Sequence, residues 1–169
     1  MNIYLVGMMG AGKSVTGKAL APLLKMQFVD LDRMIETDQK LSVSEIFEIR
    51  GEPFFRELES EVLKRVSGRS GQVISTGGGI VLREDNRQLM KKNGRVVFLE
   101  TSVPWLLKRL LGSTERPLLK TENWTQKVET LAEERASLYR EASNITVLTD
   151  EKTPAQTAEE IAVKLGVMS

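Results

Sequence analysis

Short apolar runs alternate along the chain with longer stretches whose apolar residues recur every three or four positions. The short runs fall at residues 2–6, 27–31, 72–75, 95–99 and 144–149, each with Val, Ile, Leu or Phe at its centre. Such runs predict strands buried on both faces. The longer stretches predict helices: one after Gly12 that turns Val15, Leu20, Leu23 and Leu24 inward, and others at residues 84–92, 103–111, 125–139 and 154–165. Alternation of this kind builds a parallel sheet with helices on both faces.

A helix pair interrupts the simple repeat. Ser42-Val43-Ser44-Glu45 is a capping box, flanked by Leu41 and Ile46 as a hydrophobic staple. The helix it opens should stop near Gly51. Pro53 suits the first turn of a second helix, which continues through Leu58, Val62 and Val66 toward Gly68. Residues 112–123 mix Gly, Ser, Thr, Pro and charge between two helices, and read as a mobile surface segment.

Composition narrows the class. A chain of 169 residues, 41% hydrophobic, fits one soluble domain over residues 1–169. Its net charge of +1, with Lys and Arg dispersed, offers no basic surface for nucleic acid. With no Cys and no His, the acid–base and electrostatic groups must be carboxylates, Lys and Arg. The N-terminus lacks the basic flank of a secretory signal, and no apolar run approaches the roughly 18 to 20 residues of a membrane span. A cytoplasmic protein without a membrane partner is the expectation, and a monomer the default.

Gly7-Met8-Met9-Gly10-Ala11-Gly12-Lys13-Ser14 matches G-x-x-x-x-G-K-[ST], directly after an apolar strand and directly before a helical pattern. In that context the glycines let backbone N–H groups of Gly10, Ala11 and Gly12 turn around phosphate oxygens, and the following helix adds its positive end. Lys13 would bridge the β- and γ-phosphates of ATP, and Ser14 would ligate Mg²⁺. Val15 stands where many such loops carry a second hydroxyl, which leaves an α-phosphate only backbone contacts.

In an open α/β sheet, ligands bind beyond the carboxyl ends of the strands. That rule selects the loop at Gly7, Asp30 and Asp32, Gly77-Gly78-Gly79, Glu100 and Thr101, and Thr149 and Asp150. Two residues apart on a strand end, Asp30 and Asp32 can face the same side. A carboxylate there could orient an attacking hydroxyl, hold a metal-bound water, or simply cap the next helix. The run ending in Glu100 competes with Asp32 for the metal. Bare glycine at 77–79 lets a ligand press against the backbone. By its i,i+3 spacing alone, Arg56–Glu59 is a solvated ion pair worth a few tenths of a kcal/mol. Arg109, Arg116 and Arg135 are, taken singly, ordinary surface residues; Arg116, beside Pro117 in the mobile segment, could ride a closing lid.

Together these residues resemble shikimate kinase, a nucleoside-monophosphate-kinase-like member of the P-loop proteins, over about residues 1–154. The motifs carrying the resemblance are the phosphate loop, Asp30-Leu31-Asp32, Ile46-Phe47 through Gly51-Glu52 and Phe55-Arg56 to Glu59, Gly77-Gly78-Gly79, Arg116-Pro117-Leu118-Leu119, and Arg135 followed by Tyr139. The resemblance implies a three-layer α/β/α sandwich on a five-stranded parallel sheet of order 2-3-1-4-5, with acceptor-binding helices over residues 33–61 and a lid over 112–123. It implies ATP-dependent phosphorylation of the 3-hydroxyl of shikimate, a step toward aromatic amino acids. Asp32, Arg56, Gly77, Gly78, Gly79 and Arg135 would hold shikimate, with Glu59 keeping Arg56 in position. Arg116 would swing in from the lid, and Arg109 with the segment near Pro154 would flank adenine. Lys13, Asp32 and Arg116 would carry the chemistry, and Ser14 with Asp32 the metal. A kinase of another small hydroxy acid such as gluconate, or a non-catalytic nucleotide-binding module, would share the loop. The Arg56–Glu59 and Arg116-Pro117-Leu118-Leu119 elements argue against the first, and an intact Lys13, Asp32 and arginine set against the second.

Overall fold

Apolar runs at Asn2–Val6 (β1), Gln27–Asp30 (β2), Gln72–Ser75 (β3), Gly94–Glu100 (β4) and Ile145–Leu148 (β5) form one sheet. All neighbours are parallel, in the order β2-β3-β1-β4-β5. The computed structural model describes residues 1–111 and 121–169. Ile3 pairs with Val73 on one side and Arg95 on the other, and Val6 lies opposite Phe98. Because β1 is central, its whole run is buried, as a strand covered on both faces requires.

The helices are α1 (Lys13–Leu24), α2 (Leu31–Gln39), α3 (Val43–Arg50), α4 (Glu52–Ser67), α5 (Glu84–Asn93), α6 (Val103–Leu110), α7 (Trp124–Ala142) and α8 (Pro154–Lys164). Crossovers between parallel strands are right-handed. The β1–α1–β2 connection runs toward one edge and the later ones back toward the other, so α1 lies on one face, where α8 packs against it. On the opposite face α4 meets α5, and α5 and α7 cover β4. The direction of chain progression reverses between β1 and β3, which opens a crevice at their carboxyl ends.

Local signals fix the element boundaries. Ser42 and Glu45 form the expected reciprocal capping box, and Gly51, at φ 84°, ends α3 and admits Pro53 to the first turn of α4. Thr153 and Gln156 cap α8 in the same way. A short 3₁₀ turn, Ile80–Leu82, follows the glycine segment. Among the described residues no helix is long and apolar enough to cross a membrane.

Two expectations change. The inward face of α1 is Thr16, Gly17, Leu20 and Ala21, whereas Val15 is 52% exposed and Leu23 also faces outward. Small residues win because the Phe28 ring lies against Gly17: a Cβ there would sit 2.5 Å from the ring. Strand β2 ends at Asp30, one residue early, and α2 begins at once with Asp30 as its cap, accepting from Arg33 N at 3.2 Å.

Candidate active site

The phosphate loop leaves β1 at Gly7. Gly10 and Gly12 take φ of 84° and 85°, in the left-handed region that favours glycine. This curls the loop so that α1 starts at Lys13 with no side chain capping its N-terminus. Uncapped first-turn amides and the helix dipole make an anion cradle. Lys13 folds over the loop, donating from Nζ to the carbonyls of Gly7 (2.7 Å) and Met8 (2.9 Å). Val15, with its side chain outward, can offer a ligand its backbone N–H in that first turn.

Ser14 Oγ donates to Asp30 Oδ2 at 2.6 Å and lies 3.1 Å from Ser75 Oγ at the end of β3. The carboxylate hydrogen-bonded to Ser14 is thus that of Asp30. Helix α2 is the cause. Asp30 keeps an extended backbone as the cap while Asp32 already lies in the first turn of α2, so the two carboxylates lose the common face that a continuing strand would give them. Glu100, the other candidate, pairs with Arg140 at 2.9 Å.

Asp32 joins a second cluster. Its Oδ1 and the Oε2 of Glu59 close on Gly77, where a Cβ would stand 3.3 and 2.8 Å from them. Glu59 is 1% exposed and holds Arg56 Nη1 with both oxygens at 3.1 Å. From the solvent side, Glu52 takes Arg56 Nε and Nη2 at 3.3 and 3.1 Å. Glu59 is thus buried and Arg56 only partly exposed, so the pair is not a solvated one. The heptad-like stripe Phe55, Glu59, Val62 and Val66, all buried on α4, carried that signal in the sequence. Burial, reinforced by Asp32, pushes the Glu59 carboxyl up to about 7 against the opposing pull of Arg56 and Arg135.

The glycines serve as the floor between the two clusters. The Arg56 guanidinium lies flat against Gly79, where any Cβ would collide with it. A Cβ on Gly78 would be 3.5 Å from Met9 N of the phosphate loop and 3.6 Å from Arg135 Nη1. Arg135 reaches this point from α7 and is nearly buried. One turn later, Tyr139 donates its hydroxyl to the Gly78 carbonyl.

Opposite the acceptor cluster, Arg109 on α6 bonds Gly10 O (3.3 Å), Thr149 O (3.0 Å) and Thr149 Oγ1 (3.0 Å), with Trp105 against its guanidinium. It ties the phosphate loop to the segment between β5 and α8, where Pro154 is exposed in the first helical turn. Arg116 and residues 112–120 of the expected lid lie outside the described residues. Sequence reading passed over Ser75, the last residue of β3, and the anchoring contact of Tyr139.

The sequence model of the shikimate kinases matches residues 9–166. The shikimate kinase of Sulfurihydrogenibium sp. (strain YO3AOP1) is 48% identical over 164 residues, 97% of both chains. That of Rippkaea orientalis (strain PCC 8801 / RF-1) is 42% identical over 161 residues, 95% of this chain and 86% of the relative. Among solved structures, shikimate kinase from Acinetobacter baumannii in complex with shikimate superposes with a TM-score of 0.94 at 40% identity, over 98% of this chain and 93% of that one.

Proposed function

The chain belongs to the shikimate kinase family, and from that premise we propose how its residues divide the ATP-dependent phosphorylation of shikimate at the 3-hydroxyl. The observation that carries the assignment is the glycine floor: Gly78 borders Met9 of the phosphate loop on one side and Arg135 on the other. A phosphate donor and a carboxylate-bearing acceptor can therefore meet across one residue.

Shikimate is a carboxylate with three hydroxyls. Arg56 and Arg135 bind the carboxylate, since guanidinium forks match its geometry. Glu59 holds Arg56 through Nη1 and leaves the Nε–Nη2 edge, which faces the exposed Glu52, to exchange partners. Asp32 accepts from the 3-hydroxyl, aligns it with the γ-phosphoryl and takes its proton late in the transfer. Gly77, Gly78 and Gly79 let the ring lie close to the backbone.

On the donor side, backbone amides from Gly10 to Val15 enclose the phosphates. Lys13 leaves the carbonyls of Gly7 and Met8 to bridge the β- and γ-phosphates, and Arg116 adds positive charge from the lid. Arg109 and Pro154 flank adenine. Ser14, with Asp30 and Ser75 beside it, presents an all-oxygen donor set that suits Mg²⁺, a cation usually held by few protein groups and by substrate phosphates. Bound there, Mg²⁺ supplies neutralisation of charge on the β- and γ-phosphates. Transfer through a loose transition state needs little beyond this positioning and charge. We take the protein to work as a single-domain cytoplasmic monomer.

Product analysis tests the assignment. After incubation with ATP, Mg²⁺ and shikimate, phosphorus–proton coupling in the NMR spectrum is expected to show phosphate on O3; phosphate on another hydroxyl would refute the geometry.

A further inference from the structure

We infer that Tyr139 is a positioning residue for the acceptor: its hydroxyl fixes the Gly78 peptide, and through it the floor on which shikimate rests. The inference rests on the acceptor assignment above.

Tyr139 is 1% exposed, and its ring stacks on Phe98 with centroids 5.1 Å apart and planes 20° from parallel. Phe98 lies in β4 directly opposite Val6, the residue before the phosphate loop. The ring is therefore anchored to the strand beside the loop. Apolar packing of that kind would be served equally by phenylalanine. A buried hydroxyl costs desolvation unless it is bonded, and this one spends its proton on the carbonyl of Gly78. Burial holds the phenol firmly protonated, with its pKa pushed up to about 12, so the donor is present at every working pH.

The position of that carbonyl matters because the 78–79 peptide is planar and trans. Pinning the Gly78 oxygen toward α7 turns the Gly79 N–H to the opposite side. It also sets the plane of the backbone against which the Arg56 guanidinium lies. Arg135, four residues earlier on α7, approaches the same glycine through Nη1. Two side chains on one helical face thus meet residue 78, Arg135 by proximity and Tyr139 by a hydrogen bond to its carbonyl. Without the hydroxyl, the glycine segment, which has no side chain of its own to hold it, would be free to rotate that peptide.

Tyr139→Phe keeps the ring and its stacking and removes the hydroxyl, and with it the bond to the Gly78 carbonyl and the interaction with Arg135. Steady-state kinetics with both substrates varied should show the KM for shikimate raised about tenfold, the loss expected for one buried hydrogen bond, with the KM for ATP within about twofold of the parent and kcat changed less than the shikimate KM. Calorimetric titration of shikimate into the nucleotide-free variant should show the same loss. An unchanged shikimate KM, or equal rises in both KM values as general loosening would give, overturns the inference. Parental protein assayed alongside keeps the two readings apart: if it fails to phosphorylate shikimate, the acceptor assignment is at fault, not the role of Tyr139.

Discussion

Ser14 Oγ donates to Asp30 Oδ2 across 2.6 Å, joining the helix after the phosphate loop to the cap of α2. Asp32, two residues on, instead faces Gly77 and Glu59. On the proposed division of roles, these two carboxylates would serve different halves of the reaction. Asp30→Asn is expected to raise the Mg²⁺ concentration needed for half-maximal rate several-fold while the KM for shikimate stays near the parental value. Asp32→Asn should lower kcat about 100-fold or more, the range for loss of a general base, with ATP affinity unchanged. Glu100→Gln should leave the Mg²⁺ dependence as it is. A Mg²⁺ titration for each variant checks the set, and a shift in Asp32→Asn without one in Asp30→Asn would reverse the assignment.

Gly79→Ala tests the acceptor floor. Its φ of −96° suits alanine, so the backbone tolerates the change, but the new methyl meets the Arg56 guanidinium. The flexible arginine yields and leaves Glu59. Stability should fall by about 1 to 3 kcal/mol, because the buried Glu59 loses its partner, while the KM for shikimate rises at least tenfold and that for ATP does not. Equal kinetics in variant and parent would show that Arg56 does not need its present position.

The raised pKa of Glu59 gives a pH signature. An ordinary glutamate titrates at 4.5 and this one at about 7. Between those values the folded protein holds a proton that the unfolded chain has lost. Stability from this group is therefore greatest below about 4.5, falls as pH rises through the window and levels off above about 7. In urea unfolding, the stability of the parent relative to Glu59→Gln should decline across that window. A difference independent of pH would remove Glu59 as its source.

Arg109→Ala should raise the KM for ATP about tenfold and leave that for shikimate unchanged, because Arg109 contacts the phosphate loop and Thr149 but none of the acceptor cluster. A rise confined to shikimate would contradict the division of the cleft.

Much of this was written locally in the sequence. Ser42 with Glu45, Gly51 with Pro53, and Gly10 with Gly12 and Lys13 each fix a boundary by near-neighbour chemistry, and the structure follows them. Strand order came from family resemblance, since short continuous apolar runs say which segments are strands but not which are neighbours. The misreadings arose where tertiary packing overrides local pattern. Val15 and Leu23 are apolar, yet Gly17 against Phe28 decides which side of α1 faces the sheet. Extending β2 by one residue gave Asp30 and Asp32 a common face that the start of α2 removes. The Arg56–Glu59 spacing was visible, but its burial depends on Gly77 and Gly79, contributed from another strand end.

Selection by this cleft of a small cyclic carboxylate bearing hydroxyls is measured by ADP release with shikimate, gluconate and a nucleoside monophosphate in parallel. It predicts turnover with shikimate at least 100-fold above either alternative in kcat/KM, a margin in keeping with a site whose buried charges need matched partners. Comparable or faster turnover of gluconate or the nucleotide would contradict it.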